Sequence, residues 1–256
     1  MADLKIEIYA IKIGQRKVPT SLVLYQPEHH GETMIHYYFW CVRYGEKILL
    51  VDTGFRPETA KEKGLINIRH PVDQLLKLGI TSDQIEIVIC SHLHWDHIDG
   101  AEFFRRATFF IPEQDLIFFT GPAITHNEIR QYICQQDLQN LVGMASEGRT
   151  ELLNGDRMIF PGIKVHFVGG HTPGLHFVSI ESDTGKVVLS SDLCYLYKNL
   201  REEKIPGLFV NLMEMLHGFQ KLKKCASKGN LIIPSHDPEL ANRFPTIENG
   251  EIIKIL

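Results

Sequence analysis

The sequence predicts an α/β fold, and three observations carry that expectation. Short apolar runs end in an acid, a histidine or a glycine; an amphipathic segment lies between two of them; and the same grammar returns in the second half of the 256-residue chain. Residues 47–54, Lys-Ile-Leu-Leu-Val-Asp-Thr-Gly, read as a buried strand running into a turn. Val72, Leu75, Leu76 and Leu78 follow Pro71 at helical spacing and Gly79 closes that helix. Residues 85–90 form the next buried strand and deliver the chain into Ser91 and His92. Residues 112–139 read as helix or helical loop, with Phe118, Phe119, Ile124, Ile129, Tyr132 and Ile133 as its apolar surface. That surface suits either core packing or the wall of a pocket for an apolar substrate tail. Residues 162–168, 176–181 and 186–190 are β-rich and separated by Gly, Pro and Asp signals. Residues 186–192 echo 47–52, a strand ending in aspartate, which suggests a duplicated architecture. Residues 206–228 read as a helix with Leu208, Leu212, Met215, Leu216, Phe219 and Leu222 on one face, before a last strand at 231–233.

One domain spanning residues 1–256 is expected, since α/β folds of this length commonly form a single unit. Apolar residues at 44% against 23% charged leave material for a sizeable core and argue against global disorder. A net charge of −4 provides no basic field for nucleic-acid phosphates, so nucleic acid is an unexpected partner. No apolar run approaches the roughly 20 residues that span a bilayer, so no membrane association is expected. Residues 1–7 interleave charges with apolar side chains and lack the form of a secretory signal. The cysteines at 41, 90, 134, 194 and 225 are odd in number, dispersed and never in a CxxC pair, which suits free thiols and a cytoplasmic location. Residues 25–38 set His29, His30 and His36 among aromatics and read as an arm; burial of that arm against a second subunit would make a homodimer.

Chemistry concentrates in residues 91–100, Ser-His-Leu-His-Trp-Asp-His-Ile-Asp-Gly. On an extended segment, residues i and i+2 project to one side, so His92 and His94 can share an ion. Asp96 and His97 follow where a helix would begin and can face a neighbouring ion. Imidazole and carboxylate suit Zn²⁺, Mn²⁺, Fe or Co, and a catalytic ion keeps a position open for water or substrate. Three further segments could complete the shells: His171 in the turn Gly-Gly-His-Thr-Pro-Gly, Asp192 at a strand end, and His236 after the last strand. All lie where buried strands become loops, the usual place for a site on a rigid sheet.

HxHxDH, then GHTPG, then a strand-terminal Asp and a last His, in that order, resembles the metallo-β-lactamase superfamily. The resemblance implies an αββα sandwich, two mixed β-sheets packed face to face with helices outside. It also implies that His92, His94 and His171 hold one divalent ion, that Asp96, His97 and His236 hold another, zinc foremost, and that Asp192 bridges them. Asp52-Thr53-Gly54 matches a turn of the family that supports the ligands, so Asp52 is not expected to be one. His166 and His176 could brace ligands from behind; His29, His30, His70, His126 and His217 read as ordinary surface or core residues. Two adjacent cations imply hydrolysis by a hydroxide held between them, with Asp96 or Asp192 taking or passing the proton.

Residues 192–195, Asp-Leu-Cys-Tyr, are similar to the arrangement in N-acyl-homoserine lactonases. There a tyrosine three positions after the bridging aspartate points into the site; Tyr195 would hydrogen-bond the lactone carbonyl or ring oxygen, or else is simply a packed aromatic. The resemblance therefore implies a quorum-quenching lactonase acting on a small-molecule lactone or ester. Another lactonase, an esterase or thioesterase, and an iron-dependent oxygen-using enzyme are the alternatives; a binding module without activity would not need an open, complete ligand set.

Overall fold

The computed structural model describes residues 6–226 and 231–256. Its strands are β1 (Ile6–Pro19), β2 (Glu32–Tyr44), β3 (Lys47–Val51), β4 (Ile87–Ile89), β5 (Thr108–Pro112), β6 (Thr150–Leu153), β7 (Arg157–Phe160), β8 (Ile163–Phe167), β9 (His176–Ser182), β10 (Gly185–Leu189), β11 (Leu231–Ile233), β12 (Thr246–Ile247) and β13 (Ile252–Lys254). They form two sheets, ordered β12-β13-β1-β2-β3-β4-β5-β6 and β11-β10-β9-β8-β7. Both are mixed. In the first, β3 to β6 run parallel and the rest pair antiparallel; in the second, β10 and β11 are the parallel pair.

Period-two alternation explains how the sheets stack. On β2, Tyr38, Trp40 and Val42 join Val178, Ile180, Val187 and Leu189 of the second sheet in one buried cluster, so the two sheets pack face to face. The intervening Ile35, Tyr37, Phe39 and Cys41 point the other way, into a cluster with Leu75, Phe104 and Phe119 beneath the outer helices. Phe177 and Val188 turn to the far face of the second sheet and meet Met215, Phe219 and Leu222 of the helix Leu212–Cys225. Each large apolar side chain removed from water contributes about 1.5–3 kcal/mol. The helix–sheet–sheet–helix layering is the αββα sandwich that the resemblance implied.

Several expectations need correction. The segment 25–38 is not an arm: most of its second half is the start of β2, paired along its length with β1, and Ile35, Tyr37 and Tyr38 are buried within the chain. Tyr25 packs its ring against Phe209 at 5.3 Å. The helix expected from Pro206 begins at Leu212, because the Asn211 side chain caps it by accepting from Met213 N (3.0 Å) and Glu214 N (3.3 Å). The stretch before it is held extended, with Gly207 N donating to Leu22 O and Val210 N to Gly170 O. Its expected end at 227–228 lies outside the described residues. Among the described residues no helix is long and apolar enough to cross a membrane.

Candidate metal centre

The ligand-type residues sit on loops at one end of the stacked sheets. β4 ends at Ile89, and His92 and His94 lie in the loop that follows it, before the short helix Trp95–Ile98 carries Asp96 and His97. His171 lies between β8 and β9, where Gly169 and Gly170 take φ +67° and +94°. A Cβ at Gly170 would stand 2.5 Å from Met215 N, so only glycine lets the loop lie against the start of the helix Leu212–Cys225. Asp192 follows β10 and His236 follows β11. These two loops are tied by Ser235 N to Cys194 O and His236 N to Tyr195 O, each 3.0 Å.

The fold brings all seven predicted residues together. His92, His94, His171 and Asp192 offer ligand atoms within 4.8 Å of one another, and Asp96, His97 and His236 form a second such group. Asp192 lies between them. Its Oδ2 is 3.2 Å from His171 Nε2 and 3.8 Å from His92 Nε2, while its Oδ1 is 3.5 Å from His97 Nε2 and 3.2 Å from His236 Nε2. Asp96 Oδ2 is 3.4 Å from His97 Nε2 and 3.8 Å from His236 Nε2.

A divalent cation fits this donor set on evidence internal to the chain. His92 Nε2, His97 Nε2 and Asp192 Oδ1 are buried without a hydrogen-bond partner, and each points into the cluster. Orphaned polar atoms are costly unless something binds them. The opposite ring nitrogens are already engaged, which fixes which nitrogen faces inward. His171 Nδ1 donates to Leu208 O (2.8 Å) and His236 Nδ1 to His36 O (2.9 Å). Ser91 Oγ donates to Asp52 Oδ2 (3.0 Å) and therefore accepts from His92 Nδ1 (3.1 Å). His94 departs from the pattern and turns Nδ1 inward, 2.9 Å from His171 Nε2.

Asp52 is a support and not a member of either group. It accepts from Ser91 N (2.8 Å) and His97 Nδ1 (2.8 Å), from a backbone at φ +63°. Burial, and then the neighbouring His97, hold His92 well below the ordinary imidazole range; burial and His171 do the same to His94. Both rings keep a lone pair for a cation. Burial opposes charge on Asp192, yet His236, His97 and His171 hold its carboxyl well below the usual carboxylate range.

Tyr195 is buried with its ring 4.8 Å from that of His236 and 6.1 Å from that of His171. Burial, followed by Asp192 and Asp96, pushes its phenol well above the ordinary range, so it remains a donor. It lines a small chamber of about 30 Å³ together with Asp96, Asp192, Trp95, Tyr37 and Arg16. This opens beside a larger, mostly apolar cavity of about 280 Å³ lined by Phe118, Phe119, Ile129, Tyr132, Phe209 and Val210. Segment 112–139 thus lines this cavity and also packs the core, where Phe119 and Ile133 are buried.

Sequence reasoning missed Tyr37, whose ring lies 5.2 Å from that of His236, and Arg16, whose guanidinium lies 5.8 Å from the Tyr37 ring. It also missed Asp115, a buried carboxylate between two ligand loops. The bracing expected of His166 and His176 is not found: the His166 ring stacks on Phe177 and bonds Ser179 Oγ, and His176 Nδ1 donates to Gly174 O. A separate group, buried Asp99 and Asp137 with half-buried Cys134, gathers around Arg56, whose guanidinium ion-pairs with both carboxylates.

This fold and this convergence of histidines and aspartates define a class: the chain belongs to the metallo-beta-lactamase superfamily, whose family model matches residues 31–236. Within it, the chain is similar to the N-acyl homoserine lactonase AiiA of Bacillus thuringiensis subsp. kurstaki, 26% identical over 218 residues, 78% of this chain and 81% of that protein. The N-acyl homoserine lactonase AttM of Rhizobium radiobacter is 21% identical over 262 residues, covering 93% and 96%. Among solved structures, an N-acyl homoserine lactone hydrolase with the product N-hexanoyl-L-homoserine at its catalytic metal centre superposes with a TM-score of 0.79. It is 21% identical and covers 95% of this chain and 98% of that one.

Proposed function

We propose that this protein is a metal-dependent hydrolase that opens the ring of lactones carrying an apolar acyl chain, N-acyl-homoserine lactones foremost. The observation that carries the reading is Asp192, whose two oxygens face different imidazole sets beside Tyr195 and an apolar cavity. The lactonase names of the relatives, and the acyl-homoserine product bound in the structural neighbour, support the choice of substrate.

His92, His94 and His171 would hold one divalent cation and Asp96, His97 and His236 a second, with Asp192 shared. Zinc suits these nitrogen and oxygen donors; iron, manganese and cobalt suit them too. Two bound cations lower the pKa of a water and polarise a carbonyl. The chain supplies the rest. The Tyr195 phenol, kept protonated, donates to the lactone carbonyl or ring oxygen. Asp96, with 12% of its side chain exposed against 3% for Asp192, is the carboxylate placed to pass a proton outward. Phe118, Phe119 and Ile129 cover the acyl tail and exclude water from it.

The test is metal analysis of purified protein together with a lactone, ester and thioester panel. Ring opening should exceed turnover of the open-chain substrates, and Asp192→Asn should lower kcat/KM at least about a hundredfold, more than loss of an outer partner costs. Absence of turnover on every acyl-homoserine lactone rejects the substrate, and full activity after complete chelation rejects the mechanism.

A further inference from the structure

We propose that Asp115 is a positioning residue that sets the geometry of one cation position, that of His92, His94 and His171, and leaves the other to different supports; this rests on the metal-centre reading above. Asp115 lies in the first turn of the helix Glu113–Thr120 and is 0% exposed. Its Oδ2 accepts from Leu93 N (2.9 Å) and Thr172 Oγ1 (2.9 Å), and its Oδ1 from Gly174 N (2.5 Å). Leu93 is the residue between His92 and His94, and Thr172 is the residue after His171. One carboxylate therefore clamps the backbones of two loops whose ring nitrogens, His94 Nδ1 and His171 Nε2, meet 77 positions apart in sequence.

The loop is built around this clamp. A Cβ at Gly174 would stand 2.7 Å from Asp115 Oδ1, so the close approach requires glycine. The three donors are neutral, and burial still pushes the carboxyl up to about 6. A buried carboxylate answered only by neutral donors is a costly choice for packing alone. Its hydrogen bonds do not reach the other group, where Asp52 braces His97 and the His36 carbonyl braces His236. Asp115 thus serves the first position alone, whereas Asp52 reaches both, directly to His97 and through Ser91 Oγ to His92. The same helix carries Phe118 and Phe119, so the clamp also fixes the apolar wall relative to the centre.

Asparagine offers one acceptor oxygen, so Asp115→Asn must set an N–H against either the Leu93 amide and Thr172 hydroxyl or the Gly174 amide. Metal-free wild type, Asp115→Asn and Thr172→Val are titrated with Co²⁺ against a chelator of known affinity, and folding is followed by circular dichroism. Asp115→Asn should weaken one of two equivalents about ten- to a hundredfold, the usual cost of removing an outer partner, and leave the other within about threefold. The Co²⁺ absorption spectrum that remains should match that of His171→Ala and not that of His236→Ala. Thr172→Val, which removes one donor of three, should show a smaller loss at the same position; if Asp115→Asn fails to fold, Thr172→Val decides alone. Equal weakening of both equivalents, or none, overturns the proposal while the metal-centre reading stands. A wild type that binds no cation overturns both.

Discussion

Asp52→Asn isolates the buried brace behind His97. Asp52 accepts three hydrogen bonds, from Ser91 N at 2.8 Å, Ser91 Oγ at 3.0 Å and His97 Nδ1 at 2.8 Å, and is itself only 2% exposed. Its backbone sits at φ +63°, a conformation that asparagine tolerates as well as aspartate does. The substitution therefore leaves the turn unstrained and acts on the side chain alone. Asparagine can keep one oxygen, so one or two of the three bonds are lost, and its amide must face a donor. Hydrogen bonds to a charged group are worth about 1.5–3 kcal/mol each. The metal-free variant should therefore lose about 2–4 kcal/mol in urea unfolding without a change in slope. The His97 ring also loses the acceptor that orients it, so affinity at its cation position should fall about ten- to a hundredfold. Unfolding free energies within about 0.5 kcal/mol of wild type, with an unchanged chelator competition curve, would refute the account of Asp52 as a brace.

Two further outcomes follow from the same geometry. Tyr195→Phe removes one buried hydroxyl without touching a ligand, and should lower kcat about a hundredfold at unchanged metal content; an unchanged kcat removes Tyr195 from the chemistry. Burial lowers His166 from 6.5 to about 4, against the pull of Asp156 and with Lys164 and Lys221 adding to the effect. The unfolded state therefore takes up a proton that the folded state refuses, and the stability contribution present above pH 6.5 is lost as pH falls towards 4. His166→Gln should flatten this loss by about 1–2 kcal/mol in metal-free protein, and identical pH profiles of the unfolding free energy would contradict it.

Which parts of this molecule could be read from its sequence depends on how far each interaction reaches along the chain. His92, His94, Asp96 and His97 are legible because they fall within six positions of one loop and the helical turn that follows it. His171, Asp192 and His236 are legible because each lies in a loop that follows a strand, and a sheet aligns strand ends. Their orientation is not local. His97 is aimed by a carboxylate 45 positions away, His171 by a carbonyl 37 away and His236 by a carbonyl 200 away. The same distance hid β1 and β2, whose register depends on each other and on β13. It hid Tyr37 as well, which faces His236 only because alternation along β2 turns it away from the sheet–sheet layer. The late start of the helix Leu212–Cys225 has this cause too: Val210 N and Asn211 N bond Gly170 O, so the stretch before the helix belongs to the His171 loop. The candidate ligands are therefore written locally, whereas their direction is set by partners that only the folded chain assembles. Substitutions at Asp52 or Asp115 should consequently alter the candidate centre while every histidine and aspartate of the motif remains in place.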